Sequence, residues 1–411
     1  MWKMLKSNAD MRRVFLAQVI SYLGDWFSFV AIIGLVDDLT GSKFLVSLVV
    51  VAFSLPSFLA SPIAGSMADR FDRRRILVFV SVAQVIAAFG LLFVGKDTVW
   101  LAFLAQSTIS ALAAVISPAT EASIPNIARD DELAVANSLL GSTWGVMLAV
   151  GAAVGGVFAS VFGRDAAFIA NGVSFAIAAI LFSRIKTPMQ KDRTVQTQRQ
   201  RIHPISDMRE AITHSRQDPV LMALIFSKTT FAIGAGVVSQ LAVLASDVFN
   251  GGDAARGLLI GVRGVGTGLG PLIAMRYTRG QLGKVLIICG FASLAFSGFY
   301  LVGAWMPTLW LTAIFVMLAH LGGGAQWTLS SYGLQLRSPD HIRGRILAGD
   351  FALVTLMLSL TSALAGLISE LYGVREAISG FACAAAIASV MYIRATKRLR
   401  TQLQLQLDAE L

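Results

Sequence analysis

Residues 42–90 read SKFLVSLVVVAFSLPSFLASPIAGSMADRFDRRRILVFVSVAQVIAAFG. Two apolar runs flank a short polar stretch in which Arg70, Arg73, Arg74 and Arg75 are crowded together. Each run is long enough to cross hydrocarbon, which takes roughly 20 residues of helix for a core about 30 Å thick. Backbone donors and acceptors cannot stay unpaired in lipid, so each run must be a helix or part of a closed barrel. Continuous apolar runs lack the alternation of a barrel strand. The same unit of apolar run and polar punctuation recurs along the chain. Spanning helices are expected at about 13–36, 42–67, 76–95, 98–119, 133–161, 165–185, 219–246, 255–276, 282–304, 307–330, 344–369 and 373–394.

Composition agrees with the runs. Of 411 residues 55% are hydrophobic and 14% charged, against roughly 25% charged in a soluble domain. A net charge of +10 raises the question of nucleic acid, which the placement of the basic residues answers. Alternate loops on the side holding both termini collect 27 Lys and Arg, and the opposite side five: Lys43, Lys96, Arg164, Arg256 and Arg375. Only Lys228 and Arg263 fall inside helices. The asymmetry places both termini in the cytoplasm by the positive-inside rule. The N-terminal run lacks a small-residue cleavage site and is expected to stay as a first helix. Cys289 and Cys383 lie in apolar runs without metal-ligand spacing, so neither a disulfide framework nor a metal site is expected.

The longest polar interruption divides the chain into an N-terminal six-helix bundle (1–185), a linker (186–218), a second six-helix bundle (219–394) and a cytoplasmic tail (395–411). Within the linker, Asp207 and Glu210 fit a capping box, and Ile205, Met208 and Ile212 an apolar face. This short amphipathic helix either steers domain motion or only links the halves.

The segment Gly65-Ser66-Met67-Ala68-Asp69-Arg70-Phe71-Asp72-Arg73-Arg74-Arg75 resembles the cytoplasmic loop signature of the major facilitator superfamily, with Asp72 where glycine is usual. Further stretches resemble the subgroup of macrolide and enterobactin exporters: Pro118-Ala119 to Ile124-Pro125 with Asn137, Arg263-Gly264-Val265-Gly266, and Leu336 to Arg345. The resemblance implies an all-α membrane protein of two six-helix bundles, with helices 1, 4, 7 and 10 lining a central cavity. It implies a cytoplasmic gate built on Gly65, Asp69, Arg70, Arg73 and Arg74, for which Glu121 and Asp350 are candidate carboxylate partners. By kinship the function is proton-coupled export of an amphipathic organic compound such as a drug, macrolide or siderophore. The antiporter signature is degraded in helix 5, where only Gly151 to Gly156 fits.

A charge at the bilayer centre costs roughly 2.5–3.5 kcal/mol on insertion scales and normally meets a partner or a wet cavity. Asp25 lies 12 residues beyond Arg13, or about 18 Å, and Lys228 nine residues into helix 7, so the two are a possible pair. Asp25 is expected to exchange a proton for substrate, or else to be half of a static ion pair. Arg263 attracts an anionic group, or snorkels and holds the outer gate. Gln106, His320 and Gln326 are polar candidates for the cavity wall. The glycine runs at 264–268 and 322–324 complete no nucleotide fingerprint and are read as close helix contacts, like Gly141/Gly145 and Gly151/Gly155.

The expectation is therefore a monomeric multi-pass transporter of the bacterial inner membrane. Its partners are a small amphipathic substrate, protons and the bilayer, with no cofactor, metal, ATP or nucleic acid. The first alternative is movement of a lipid or lysophospholipid between leaflets. An intramembrane hydrolase is remote, because no reactive pair is found.

Overall fold

The computed structural model describes residues 2–129, 131–190, 204–278 and 281–410; a few helix side chains, among them those of 61–63, 65, 66, 68–70, 134, 138, 204–208, 340 and 341, lie outside the description. Among the described residues the regular elements are all helical, and twelve are long and apolar enough to cross a membrane. These are α1 (Ala9–Thr40), α2 (Lys43–Arg70), α3 (Arg73–Gly90), α4 (Trp100–Glu121), α5 (Leu133–Phe162), α6 (Arg164–Ser183), α7 (Pro219–Asp247), α8 (Asp253–Thr278), α9 (Leu282–Gly303), α10 (Leu309–Arg337), α11 (Asp340–Tyr372) and α12 (Val374–Ala395). Each matches one expected span.

Helix starts follow from local chemistry. The Asn8 side chain accepts from the N–H of Met11, and that of Asp218 from Val220, with Pro219 in the first turn of α7. Both supply an acceptor to N–H groups that lack one inside the helix. Asp72, standing where glycine was expected, has φ −63° and accepts from the N–H of Arg75 at 2.8 Å. The turn before α3 needs no left-handed residue, and aspartate caps it. In α7 the helix breaks between Gly234 and Val237. There Gly236 lies against the carbonyl of Thr361 so closely that a side-chain carbon would overlap it.

The chain forms two compact units: residues 1–42, 52–202 and 252–261 make one, and 43–51, 203–251 and 262–411 the other. In the first, α1 packs on α5 and α6, and α3 on α4 and α6. In the second, α7 packs on α11 and α12, and α9 on α10 and α12. Raising each helix number by six converts the first set of pairings into the second, so the two units repeat one packing scheme. Their cores are apolar, around Met11, Leu77 and Phe182 in one and Leu221, Leu286 and Leu329 in the other.

Shorter helices brace the units. Pro204–Gln217 starts three residues before Asp207, at a proline suited to the first turn. It lies on α11, with Glu210 paired to Arg345. Lys397–Glu410 packs on α9. At the start of the chain Asn8 donates to the carbonyl of Ile127 (2.9 Å) and to the Glu132 carboxylate (3.1 Å), which also accepts from the N–H of Arg129 (3.2 Å). These bonds, that from Asn8 foremost, hold the Glu132 carboxyl below its ordinary value.

Small residues set the close helix approaches. On α10 the three consecutive glycines serve three neighbours: Gly322 meets the carbonyl of Ala292 on α9, Gly323 the Phe231 ring on α7, and Gly324 the backbone of Thr267 on α8. Gly151 and Gly155 lie against Trp26 and Phe27 of α1. The reading of Gly141 and Gly145 as contact glycines is corrected, since no described atom comes within 4 Å of a side-chain carbon built at either. The α5 face that bears them is exposed at Gly141, Ser142 and Trp144.

Two outcomes test this packing. Gly323→Val pushes a branched side chain into the Phe231 ring and is expected to lower the thermal midpoint in detergent, overpacking costing about 1–3 kcal/mol, whereas Gly141→Ala leaves it unchanged or slightly raised. Because the folded Glu132 carboxyl ionises below its unfolded value, its contribution is complete above that value and is lost as pH falls through the folded one. The gap in midpoint between wild type and Glu132→Gln is expected to narrow between pH 7 and pH 4; a constant gap would remove the carboxylate from the account.

Candidate functional site

In the first unit, Asp25 lies midway along α1, half-buried, with no hydrogen bond or ion pair among the described residues. It borders a cavity of about 20 Å³ shared with Gln18, Ser21, Tyr22 and Gln84 and closed by apolar side chains of α4 and α6. That volume suits one water molecule. The side-chain oxygens of Gln18 and Gln84 are buried without a partner. The cavity thus gathers a carboxylate and two orphaned amide oxygens, an acceptor-rich wall with no cation.

Gly24, next to Asp25, explains how α1 fits there. A side-chain carbon at that position would overlap the Ser174 hydroxyl of α6. Glycine lets α6 press against α1 beside the carboxylate. Trp26 faces aromatic neighbours, edge-on to Phe29 at 5.5 Å, and is a packing residue. Gln106 donates to the Ser110 hydroxyl at 3.0 Å on the same helix.

A second charged group in this unit was not foreseen. At the far end of α1, Asp37 and Asp38 meet Arg164 of α6 and Asp253 and Arg256 of the first turns of α8. Arg164 donates to both oxygens of Asp253, at 2.7 and 3.2 Å, and pairs with Asp38 at 2.7 Å. Arg256 is 3% exposed; it pairs with Asp37 and, at 2.8 Å, with Asp253. Gly34 makes room, because a side chain there would strike the Asp253 carboxylate. The sequence carried a signal: two of only five basic residues on that side sit at helix starts, with aspartates at the end of α1.

In the second unit the partner of Lys228 is Asp350 on α11, not Asp25 as the depths had suggested. The ammonium also donates to the Ser331 hydroxyl at 2.8 Å and stands 4.9 Å from the centre of the Trp327 ring. Lys228 and Asp350 are 2% and 3% exposed. This corrects the assignment of Asp350 to the arginines of the loop after α2. Ten residues into α11, it lies about 15 Å along the axis, too deep for a loop partner, and α7 brings Lys228 to the same depth from the same face. Matching those depths would have found the pair. One Asp350 oxygen remains without a partner.

The remaining candidates are placed as follows. Gln326 donates to the Ser227 carbonyl and to the Thr230 hydroxyl (3.0 Å), tying α10 to α7. His320 hydrogen-bonds Tyr300 at 2.9 Å. Arg263 is half-buried, its Nε enclosed and without an acceptor. Of the gate residues, the side chains of Gly65, Asp69 and Arg70 lie outside the description. Arg73 donates to the carbonyls of Ala122 and Met189 (3.1 Å); Arg74 and Glu121 are exposed. No group of His, Cys, Asp and Glu suited to a metal occurs among the described residues.

Removing one member of a buried ion pair leaves the other uncompensated, at about 3–5 kcal/mol, while removing both is far milder. Lys228→Met and Asp350→Leu are therefore each expected to lower the thermal midpoint more than the double variant does. Additive losses would show that the two charges do not support each other.

Over residues 4–409 the sequence matches the transmembrane secretion effector family. The staphyloferrin A transporter of Staphylococcus aureus is 21% identical over 404 residues, covering 95% of this chain and 97% of its own length. Macrolide efflux protein A of Streptococcus pyogenes is 26% identical over 246 residues, 58% of this chain and 59% of that protein. The crystal structure of a bacterial homologue of the human lysosomal transporter Spinster, inward-facing and unoccupied, shares the fold, with a TM-score of 0.71 at 16% identity over 97% of this chain and 98% of that one. With a family match running almost end to end and twelve spans to carry it, the chain belongs to the transmembrane secretion effectors of the major facilitator superfamily, a family of transporters and not of enzymes.

Proposed function

We propose that the chain exports an amphipathic organic compound by alternating access, driven by protons that enter as the compound leaves. The observation that carries this reading is Asp25. A half-buried carboxylate beside a one-water cavity, with no cation paired to it among the described residues, is neutralised by whatever positive charge arrives: a proton, or the cationic group of a substrate. Competition for one carboxylate couples the two movements. The Lys228–Asp350 pair offers a second place where charge can be exchanged, since one Asp350 oxygen has no partner. Export follows the relatives, one of them a macrolide efflux protein. In this reading the chain acts as a monomer in the bacterial inner membrane, with both termini and the loop after α2 in the cytoplasm.

The test is proton release from inverted vesicles, followed with a pH-quenched dye while cationic drugs, macrolides, siderophores and lysolipids are added in turn. Wild type is expected to respond to at least one compound and Asp25→Asn to none, at equal protein levels. A response that survives in Asp25→Asn removes the coupling role. Silence of the wild type towards every compound, where a known antiporter responds, removes proton-coupled export and favours lipid transfer.

A further inference from the structure

The cations set deep in the spans of the second unit are treated unequally. Lys228 has a carboxylate, a hydroxyl and an aromatic face around it. Arg263 has none of these. No hydrogen bond or ion pair reaches its guanidinium from any described residue, and its Nε is shut in without an acceptor.

Its position rules out a surface role. Along α8 the buried residues Arg256, Leu259, Ile260, Gly266, Gly270 and Ala274 share one face, with Arg263 at its centre, while Gly257, Gly261 and Gly264 are buried on a second face. The exposed residues Val265, Leu269, Leu272 and Arg276 lie on the other faces. Ten residues past Asp253, Arg263 stands about 15 Å along the helix, so a side chain directed inward at that depth cannot snorkel to headgroups.

What lies opposite is α10. Gly266 meets Met317 and His320, Gly270 meets Leu321 and Ala325, and the two helices run parallel. One turn before Gly266, Arg263 lies at the level of Ala313 and Val316, both apolar and buried. Tyr300 and His320, hydrogen-bonded to each other, lie within its electrostatic reach, and neither is an anion. A guanidinium is always charged and offers a planar fork of donors. Half-buried on an inward face, with its Nε enclosed and no counter-charge among the described residues, it is costly unless an anion comes from outside the chain.

We infer that Arg263 is an anion subsite of the second unit, taking a carboxylate or phosphate of the transported molecule through paired N–H donors. The inference rests on the transport reading above and narrows it: the substrate carries an acidic group. The other use considered for Arg263, holding a gate closed, requires an acceptor in the chain, and the described residues supply none.

The probe is dansyl-phenylalanine, an amphipathic fluorescent carboxylate, against its methyl ester, with binding to purified full-length protein read by fluorescence anisotropy. Wild type is expected to bind the acid about tenfold more tightly, or about 1.4 kcal/mol. Arg263→Gln and Arg263→Met are expected to lose that preference, and Arg276→Gln, an exposed arginine on the same helix, to keep it. Loss of an uncompensated charge is also expected to leave the ligand-free thermal midpoint of the Arg263 variants unchanged or raised.

Wild type that does not distinguish acid from ester, by binding both alike or neither, overturns the proposal without recourse to any variant. So does an Arg263 variant that keeps the preference. Lysophosphatidylglycerol competing with the dansyl acid in wild type assigns the anion to a lipid headgroup, and failure to compete assigns it to a free solute; the subsite stands either way. Acid bound through Arg263 without proton release in vesicles removes proton-coupled export and leaves the subsite. Proton release with acid and ester alike does the reverse.

Discussion

A charge inside hydrocarbon has no water to answer it, and the placement of ionised side chains in this chain follows from that constraint. Arg164 and Arg256 are met by three aspartates at helix ends, and Lys228 by Asp350 at matching depth. These contacts join helices distant in sequence, so satisfying the charge also fixes which spans are neighbours. Asp25 and Arg263, one in each unit, have no ion pair among the described residues. On the readings proposed above, these two groups of opposite sign are where outside chemistry is admitted. The glycines beside them, Gly24 against α6 and Gly266 against α10, keep the surrounding helices tight while the charges stay unanswered.

The fold was legible because its determinant is one-dimensional. Run length against bilayer thickness locates a span without knowledge of its neighbours, and all twelve spans were found that way. Helix ends were less exact because capping is local chemistry: Asn8 extends α1 towards the N-terminus, and Pro204 starts the linker helix ahead of Asp207. Asp72, standing where glycine is usual, is a helix cap.

The site was legible by residue and not by pairing. Depth alone singled out Asp25, Lys228 and Arg263, since a charge in an apolar run is visible in the sequence. Which charge meets which depends on helix adjacency, and helix equivalence between the halves pointed Lys228 towards Asp25 when α11 held the nearer carboxylate. The five-residue cluster at the end of α1 escaped notice because its members lie at boundaries, where charges are ordinarily solvated. Gly141 and Gly145 misled in the opposite sense, since four-residue spacing defines a helix face without saying whether anything lies against it.

The triple glycine of α10 has a mechanical consequence. Interlocked side chains resist sliding, because each small displacement forces ridges over one another and changes rotamers. Where α10 presents bare backbone to α9 and α8, and only hydrogens to the Phe231 ring, there are no ridges to climb. At that level of the second unit the helices touch through backbone, with little side-chain interlocking to resist a small turn. Polar ties at neighbouring levels resist turning, Gln326 to Ser227 and Thr230 and Lys228 to Asp350, so a charge arriving at the latter would loosen one of them.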